Sequence, residues 1–267
     1  MSSFVIIFLM PIITLTTDFG GNDPFFGIMK GVILKICPKA RIEDITHDVS
    51  PQNVWQANFI LQSSYHYFPK GTIHVCVVDP GVGSKRKPLL IQTKNYYFIG
   101  PDNGLFTGIL NKEKVIKVIE LTEKKYWLKN LSQTFHGRDI FSPVAAYLTN
   151  GIKPESFGKP VAKHTLVKLE VGNPLKKGNC FTGMIQYIDH FGNLITNISN
   201  NEAPLKIRGK VKNKTFTGLV SSFSQAENNK LTAIKGSSGF MELFINKKNA
   251  AKLTGIKLKD KVRIDFH

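Results

Sequence analysis

The chain has 267 residues, 42% of them apolar and 21% charged, which suits one large or two modest globular domains and excludes disorder. Its formal net charge of +17 raises a nucleic-acid or membrane partner. The excess is mostly scattered lysine, however. Arginine, the usual base and phosphate reader, stands only at positions 41, 86, 138, 208 and 263 with no aromatic-plus-arginine box, so a lysine-rich surface is the better reading and nucleic acid is not the expected partner.

Residues Phe4–Leu9 form an apolar run without a basic leader or a clear cleavage site, too short to span a bilayer, and no other membrane segment is expected. Pro11–Thr17 reads as a short β-rich run ending in Asp18. Phe25–Ile36 carries apolar residues at helical spacing and stops at Pro38. Arg41–Asp48 is a second strand, Pro51–Phe68 another helix, and Thr72–Asp79 a third strand. Leu89–Ile99 reads as one or two strands around Asn95, Gly100–Gly104 as a tight turn, Val115–Leu121 as a strand and Asp139–Asn150 as a helix. This alternation implies a mostly parallel sheet flanked by helices. Residues 161–178 read as a linker. Beyond them come short strand-like runs, Gly183–Asp189, Leu194–Ile198, Leu205–Val211, Thr215–Leu219 and Met241–Ile245, the pattern of a smaller β-barrel domain. The expected division is therefore an α/β domain over 10–160 and a C-terminal barrel over 179–267. Three distant cysteines (Cys37, Cys76, Cys180) with no CxxC fit buried thiols in a reducing, cytoplasmic setting rather than disulfides or a zinc site.

Several motif matches fail. Asp18-Phe19-Gly20 and His136-Gly137-Arg138-Asp139 echo kinase motifs in reversed order, and Gly81-Val82-Gly83-Ser84-Lys85 lacks P-loop spacing. What remains is polar residues at strand tips. In Thr72–Pro88 (TIHVCVVDPGVGSKRKP) a buried-strand pattern ends in Asp79, and a glycine loop could fold Arg86 back to it. That stretch is either a ligand site or a solvated turn. Asp18 either binds a ligand, for instance a ribose diol, or caps the following helix, for which Asp23 is better placed. His136 alone is more often a structural histidine than a functional one, and its neighbour Arg138 is either a site residue or equally a salt-bridge residue. Asn193, in Asp189-His190-Phe191-Gly192-Asn193, is either a turn residue or a reader of an adenine edge.

Taken together, TTDFG with Asp23, DITHD, FPKGTIHVCVVDPGVGS, PDNGL, TFHGRD, IDHFGNLITNI and GSSGFMEL…NAA resemble the S-adenosyl-L-methionine hydroxide adenosyltransferases, hydrolases related to the fluorinase and chlorinase. The likeness runs in order from about Met10 to the C-terminus. It implies hydrolysis of S-adenosyl-L-methionine to adenosine and methionine by attack at ribose C5′, with no cofactor and no metal. It further implies that Asp79, Arg86 and His136 hold the water, that Asp18 binds the ribose diol and that Asp23 lies near the sugar. Asp189 and Ser237 would meet the amino-acid end, with Asp189 pairing the ammonium. Asn193 and the backbone near Asn249 and Ala250 would form the adenine pocket, with Phe191 beside it. Ser238 stands where the halogenases carry an arginine. The family forms a homotrimer with sites between subunits. Aromatic residues replace Asp79 and His136 in the halogenases, a hydroxyl side chain replaces Gly137, and the fluorinase insertion has no counterpart between Arg86 and Tyr96, so halide chemistry is not expected. The competing readings are a non-catalytic binder of adenosine or S-adenosylmethionine, a nucleic-acid-binding protein, and a metal hydrolase built on Asp18, His47, Asp48, Asp79 and His136.

Overall fold

A computed structural model describes residues 11–203 and 206–266. The apolar run Phe4–Leu9 and the start of the expected Leu205 strand lie outside the described residues. The chain divides into two compact units between Leu169 and Glu170.

The first unit is built on seven strands, β1 (Ile12–Thr17), β2 (Arg41–Thr46), β3 (Ile73–Val77), β4 (Pro88–Thr93), β5 (Tyr97–Pro101), β6 (Val115–Leu121) and β7 (Gly158–Pro160). They lie in the order β2-β1-β3-β5-β4-β6-β7. β1, β2, β3 and β5 are parallel. β4 runs antiparallel to both its neighbours, so β6 shares the common direction and only β4 and β7 oppose it. Leu89–Ile99 is thus an antiparallel pair, closed at Asn95 by a turn in which Thr93 N–H donates to Tyr96 O (2.9 Å).

Four helices cover the sheet: α1 (Phe25–Ile36), α2 (Val54–Ser64), α3 (Thr107–Lys112) and α4 (Ser142–Thr149). Alternate residues of one strand face opposite cores. Val75 and Val77 pack with Met29 and Ile33 of α1 and Val144 of α4, while Cys76 and Val78 pack with Leu61 of α2 and Ile109 of α3. Every residue of β3 is buried for that reason, which is why it reads as a continuous apolar run. His74, the polar exception, bonds Thr14 Oγ1 (2.7 Å) and stacks on Phe98. Burial pushes its pKa down to about 3, so it is a neutral core residue.

Two local readings are corrected. Asp23 does not cap α1: the capping position is Pro24, which has no side-chain cap bond, and Ile28 N–H donates to Pro24 O (2.9 Å). Nor is the whole of 161–178 a free linker. Val161 N–H donates to Val118 O, Val167 N–H to Asp102 Oδ1 and Leu169 N–H to Thr107 Oγ1, so residues up to Leu169 are strapped to the first unit.

The second unit contains β8 (Leu175–Lys177), β9 (Cys180–Ile188), β10 (Leu194–Ser199), β11 (Ile207–Val211), β12 (Lys214–Thr217), β13 (Leu219–Val220), β14 (Thr232–Lys235), β15 (Phe240–Phe244), β16 (Lys261–Phe266) and one short helix, α5 (Ala250–Thr254). Their order is β12-β11-β16-β9-β10-β15-β14-β13, with β8 on β9. β12 also meets β14, so the curled sheet is barrel-like around Phe181, Ile185, Leu194, Phe216, Leu243 and Ile264. The expected architecture, a helix-flanked and mostly parallel sheet followed by a smaller barrel, is the one observed. No helix among the described residues is long and apolar enough to cross a membrane.

Candidate active site

Parallel pairing aligns Thr17 of β1 with Val77 of β3, so Asp18 and Asp79 emerge side by side at the carboxyl edge of the sheet, where ligands bind in such folds. Asp79 sits just beyond a strand end that is pinned from below. Asn103 Nδ2 donates to Val78 O (2.9 Å), and Leu105 N–H donates to Asn103 Oδ1 (3.2 Å).

After Asp79 the chain makes two successive turns, Val82 N–H donating to Asp79 O and Ser84 N–H to Gly81 O. Gly83 has φ +77°, and a Cβ there would lie 2.4 Å from Gln133 O, so no side chain fits. This tight loop returns Arg86 onto Asp79. Arg86 Nε donates to both carboxylate oxygens (2.9 Å each), and a terminal nitrogen of the same guanidinium donates to Oδ2. That terminal nitrogen also bonds His136 Nδ1 at 2.7 Å. The side chains of Arg86 and Asp79 are only 8% and 5% exposed, and the guanidinium lies over the Phe141 ring.

The guanidinium has donors only, so His136 Nδ1 must be the acceptor and the neutral ring carries its hydrogen on Nε2. Burial first, and the Arg86 charge second, hold the His136 pKa below the ordinary 6.5. His136 Nε2 is buried with no hydrogen-bond partner among the described residues. The segment after it, Gly137–Phe141, is a π-turn leading into α4, with Ser142 Oγ donating to Gly137 O (2.8 Å). Arg138 forms a fork with fully buried Asp139 (2.6 and 3.0 Å), whose carboxylate also accepts from Ser132 N–H, so Arg138 braces the loop. A Cβ on Gly137 would stand 3.2–3.3 Å from Met29, Phe135 and Val77, leaving almost no room for a larger residue.

Asp18, Asp23, Asp79 and His136 line one cavity of about 510 Å³. Asp18 Oδ2 accepts from Gln52 N–H (2.7 Å), a contact to another loop rather than a helix cap. One wall is an edge-to-face trio, Phe19, Phe25 and Phe135, with ring centroids 5.4–5.7 Å apart. These aromatics, and Asn103, were not picked out from sequence, although they lie in or beside the quoted motifs.

A protonated His136 would oppose an N–H to the Arg86 N–H. Activity that needs this bridge is therefore expected to hold through pH 6.5 and to fall only at a more acidic pH, seen as an acid limb of kcat/KM lying below the ordinary histidine range that His136→Asn removes. The unfolded chain binds this proton more readily, so the group also withdraws stability as pH drops below 6.5.

A second cavity, of about 610 Å³, lies in the barrel unit and is lined by Asp189, Phe191, Asn193, Ser237, Glu242 and Asn249 among others. Asp189 and Asn193 close the β9–β10 turn: Asn193 N–H donates to Asp189 Oδ1 (2.8 Å) and Asn193 Nδ2 to Oδ2 (2.9 Å). Asn249 caps α5, accepting from Lys252 N–H (2.8 Å), and its side chain occupies the space a Cβ on Gly192 would need. Ala250 is buried as the first residue of that helix and does not line the cavity. Ser238 does not line it either, and its hydroxyl is buried without a partner among the described residues. Phe191 is largely exposed. Glu242 was missed by sequence reasoning. Among the described residues no group of three His, Cys, Asp or Glu is arranged to hold a metal ion.

Residues 13–158 match the SAM hydroxide adenosyltransferase N-terminal domain and residues 183–263 its C-terminal domain. The chain is 37% identical over 275 residues to a protein of Methanocaldococcus jannaschii named (R)-S-adenosyl-L-methionine hydrolase, covering 97% of each chain. It is 26% identical to a fluorinase of an Actinoplanes species over 217 residues, 72% of this chain and 73% of that one. The crystal structure of an uncharacterized conserved protein from Thermotoga maritima superposes with a TM-score of 0.89 at 33% identity, covering 96% of this chain and all of that one. With both domains matched in order along the chain, the protein belongs to the SAM hydroxide adenosyltransferase family.

Proposed function

We propose that the protein hydrolyses S-adenosyl-L-methionine to adenosine and L-methionine. The observation that carries this reading is the buried bridge from Asp79 through Arg86 to His136 at a strand tip. It stands in a chain 37% identical to a relative named as this hydrolase.

The bridge suggests how a water is used. The Arg86 charge is met by Asp79, and His136 is neutral. A water lodged there accepts a hydrogen bond from His136 Nε2–H and directs one of its own hydrogens to Asp79, the group with lone pairs to spare. Its oxygen attacks ribose C5′, the C5′–S bond breaks, and the bonding pair returns to sulfur as the methionine thioether. The proton passes to Asp79 and then to solvent. Positive charge on the sulfonium is dispersed as the bond breaks, so a dry, prearranged pocket favours this step more than bulk water does. Asp18 takes the ribose hydroxyls, with Asp23 near the sugar. Asp189 meets the ammonium and Ser237 the amino-acid end. Asn193 and the Asn249–Ala250 backbone read the adenine, with Phe191 beside it.

The proposal extends to a homotrimer, which the family resemblance implies, with each active site formed by the water-holding groups of one copy and the ammonium and adenine groups of its neighbour. Three free thiols support a cytoplasmic location. The test is to incubate the protein with each sulfur epimer of S-adenosylmethionine and separate products by chromatography. Adenosine and methionine in equal amounts are expected. Binding without turnover would leave a binding protein and sink the hydrolase reading.

A further inference from the structure

The tip of β1 is held by a residue to which the proposed reaction gives no part. His47 follows β2, and its buried ring is fixed on three sides. One face stacks on Phe26, with ring centroids 4.0 Å apart. Nδ1 shares a hydrogen bond with Thr17 Oγ1 (2.8 Å). Nε2 stands 3.1 Å from Asp44 Oδ1, and the other oxygen of Asp44 accepts from Lys30 Nζ (2.5 Å).

What His47 holds is the loop around Asp18. Thr17, fully buried, is the last residue of β1, and its Oγ1 also accepts from Phe19 N–H (3.3 Å). Gly20 N–H donates to the His47 carbonyl (2.8 Å), and Val49 N–H adds a longer bond to Thr17 O (3.3 Å). Thr17, Phe19 and Gly20 are thus tied to His47 directly or through the Thr17 hydroxyl. Between them Asp18 carries its carboxylate to the cavity, where Gln52 N–H donates to Oδ2 (2.7 Å). That bond anchors one oxygen and leaves the carboxylate able to pivot about it. Its plane is set by the backbone that bears it, and the Thr17 and Gly20 contacts fix that backbone from His47. Two adjacent ribose hydroxyls donate well to one carboxylate only over a narrow range of orientations, because hydrogen bonds weaken steeply off axis.

We infer that His47 is a positioning residue that sets the Asp18 carboxylate for both ribose hydroxyls, acting through the Thr17 hydroxyl. The inference rests on the reading of Asp18 as the group that binds the diol. His47 itself does not line the cavity.

The experiment is calorimetric titration of the full chain with adenosine and with 2′,3′-dideoxyadenosine, which lacks both hydroxyls. In the wild type, adenosine is expected to bind about a hundredfold more tightly. His47→Phe keeps the stack on Phe26 but offers Thr17 no partner, and is expected to narrow the gap about tenfold by weakening adenosine alone. His47→Asn, whose amide can bond Thr17 from nearly the place of Nδ1, is expected to restore most of the gap. Thr17→Val is expected to match His47→Phe, and the double variant to lose no more than either, since both cut the same path. A His47→Phe protein that keeps the full gap would overturn the inference. So would one that weakens both nucleosides alike, which is what a merely structural role predicts, and so would failure of both single variants to fold. A wild type with no gap would overturn the reading of Asp18 itself, and the inference with it, whereas a wild-type gap that survives in His47→Phe leaves that reading standing.

Discussion

Asp79→Asn is expected to lower kcat about a thousandfold while changing KM less than about threefold. The asparagine keeps the shape of the site and one oxygen for Arg86, so the cavity that binds substrate stays as it is. What it loses is the charge that receives the water's proton. Asp79→Ala goes further. Both variants leave Arg86 a buried cation without its counter-ion, at a cost of about 3–5 kcal/mol of stability, and Asp79→Ala also removes the oxygens to which the guanidinium donates. The two variants should therefore match in kcat but differ in their urea midpoints. An equal loss of binding and turnover in Asp79→Asn would contradict a role with the water.

Asp189→Asn is expected to do the reverse, raising KM about thirtyfold to a hundredfold with kcat within about threefold. A carboxylate facing an ammonium provides charge-assisted bonds, roughly twice as strong as neutral ones. Both Asp189 oxygens already accept from Asn193, yet a carboxylate has lone pairs left over. The neutral amide keeps only part of that capacity. The measurement is steady-state kinetics with S-adenosylmethionine. A fall in kcat at unchanged KM would place Asp189 with the chemistry rather than with binding.

The contrast between the two units shows what a sequence displays. The strand before Asp79 was legible because both its faces are covered, which turns a buried strand into an unbroken apolar run. The return of Arg86 was legible as a possibility from the glycines, but the reason the loop is so tight, the Gln133 carbonyl against Gly83, lies fifty residues away in the chain. The π-turn after His136 has no side-chain signature, so that stretch reads simply as helix. Asp102 and Thr107 strap Val167 and Leu169 through bonds to backbone N–H groups, which composition cannot reveal, and the strap reads as linker. Glu242 left no trace: in the FMELF strand Met241 and Leu243 face the barrel core, so an acid between them reads as an ordinary residue of the other face.

The most direct measurement of the central claim is turnover of S-adenosylmethionine in water enriched in oxygen-18, with mass spectrometry of both products. Attack of a protein-held water at ribose C5′ predicts adenosine carrying one labelled oxygen and methionine carrying none. Unlabelled adenosine, or products other than adenosine and methionine, would contradict it.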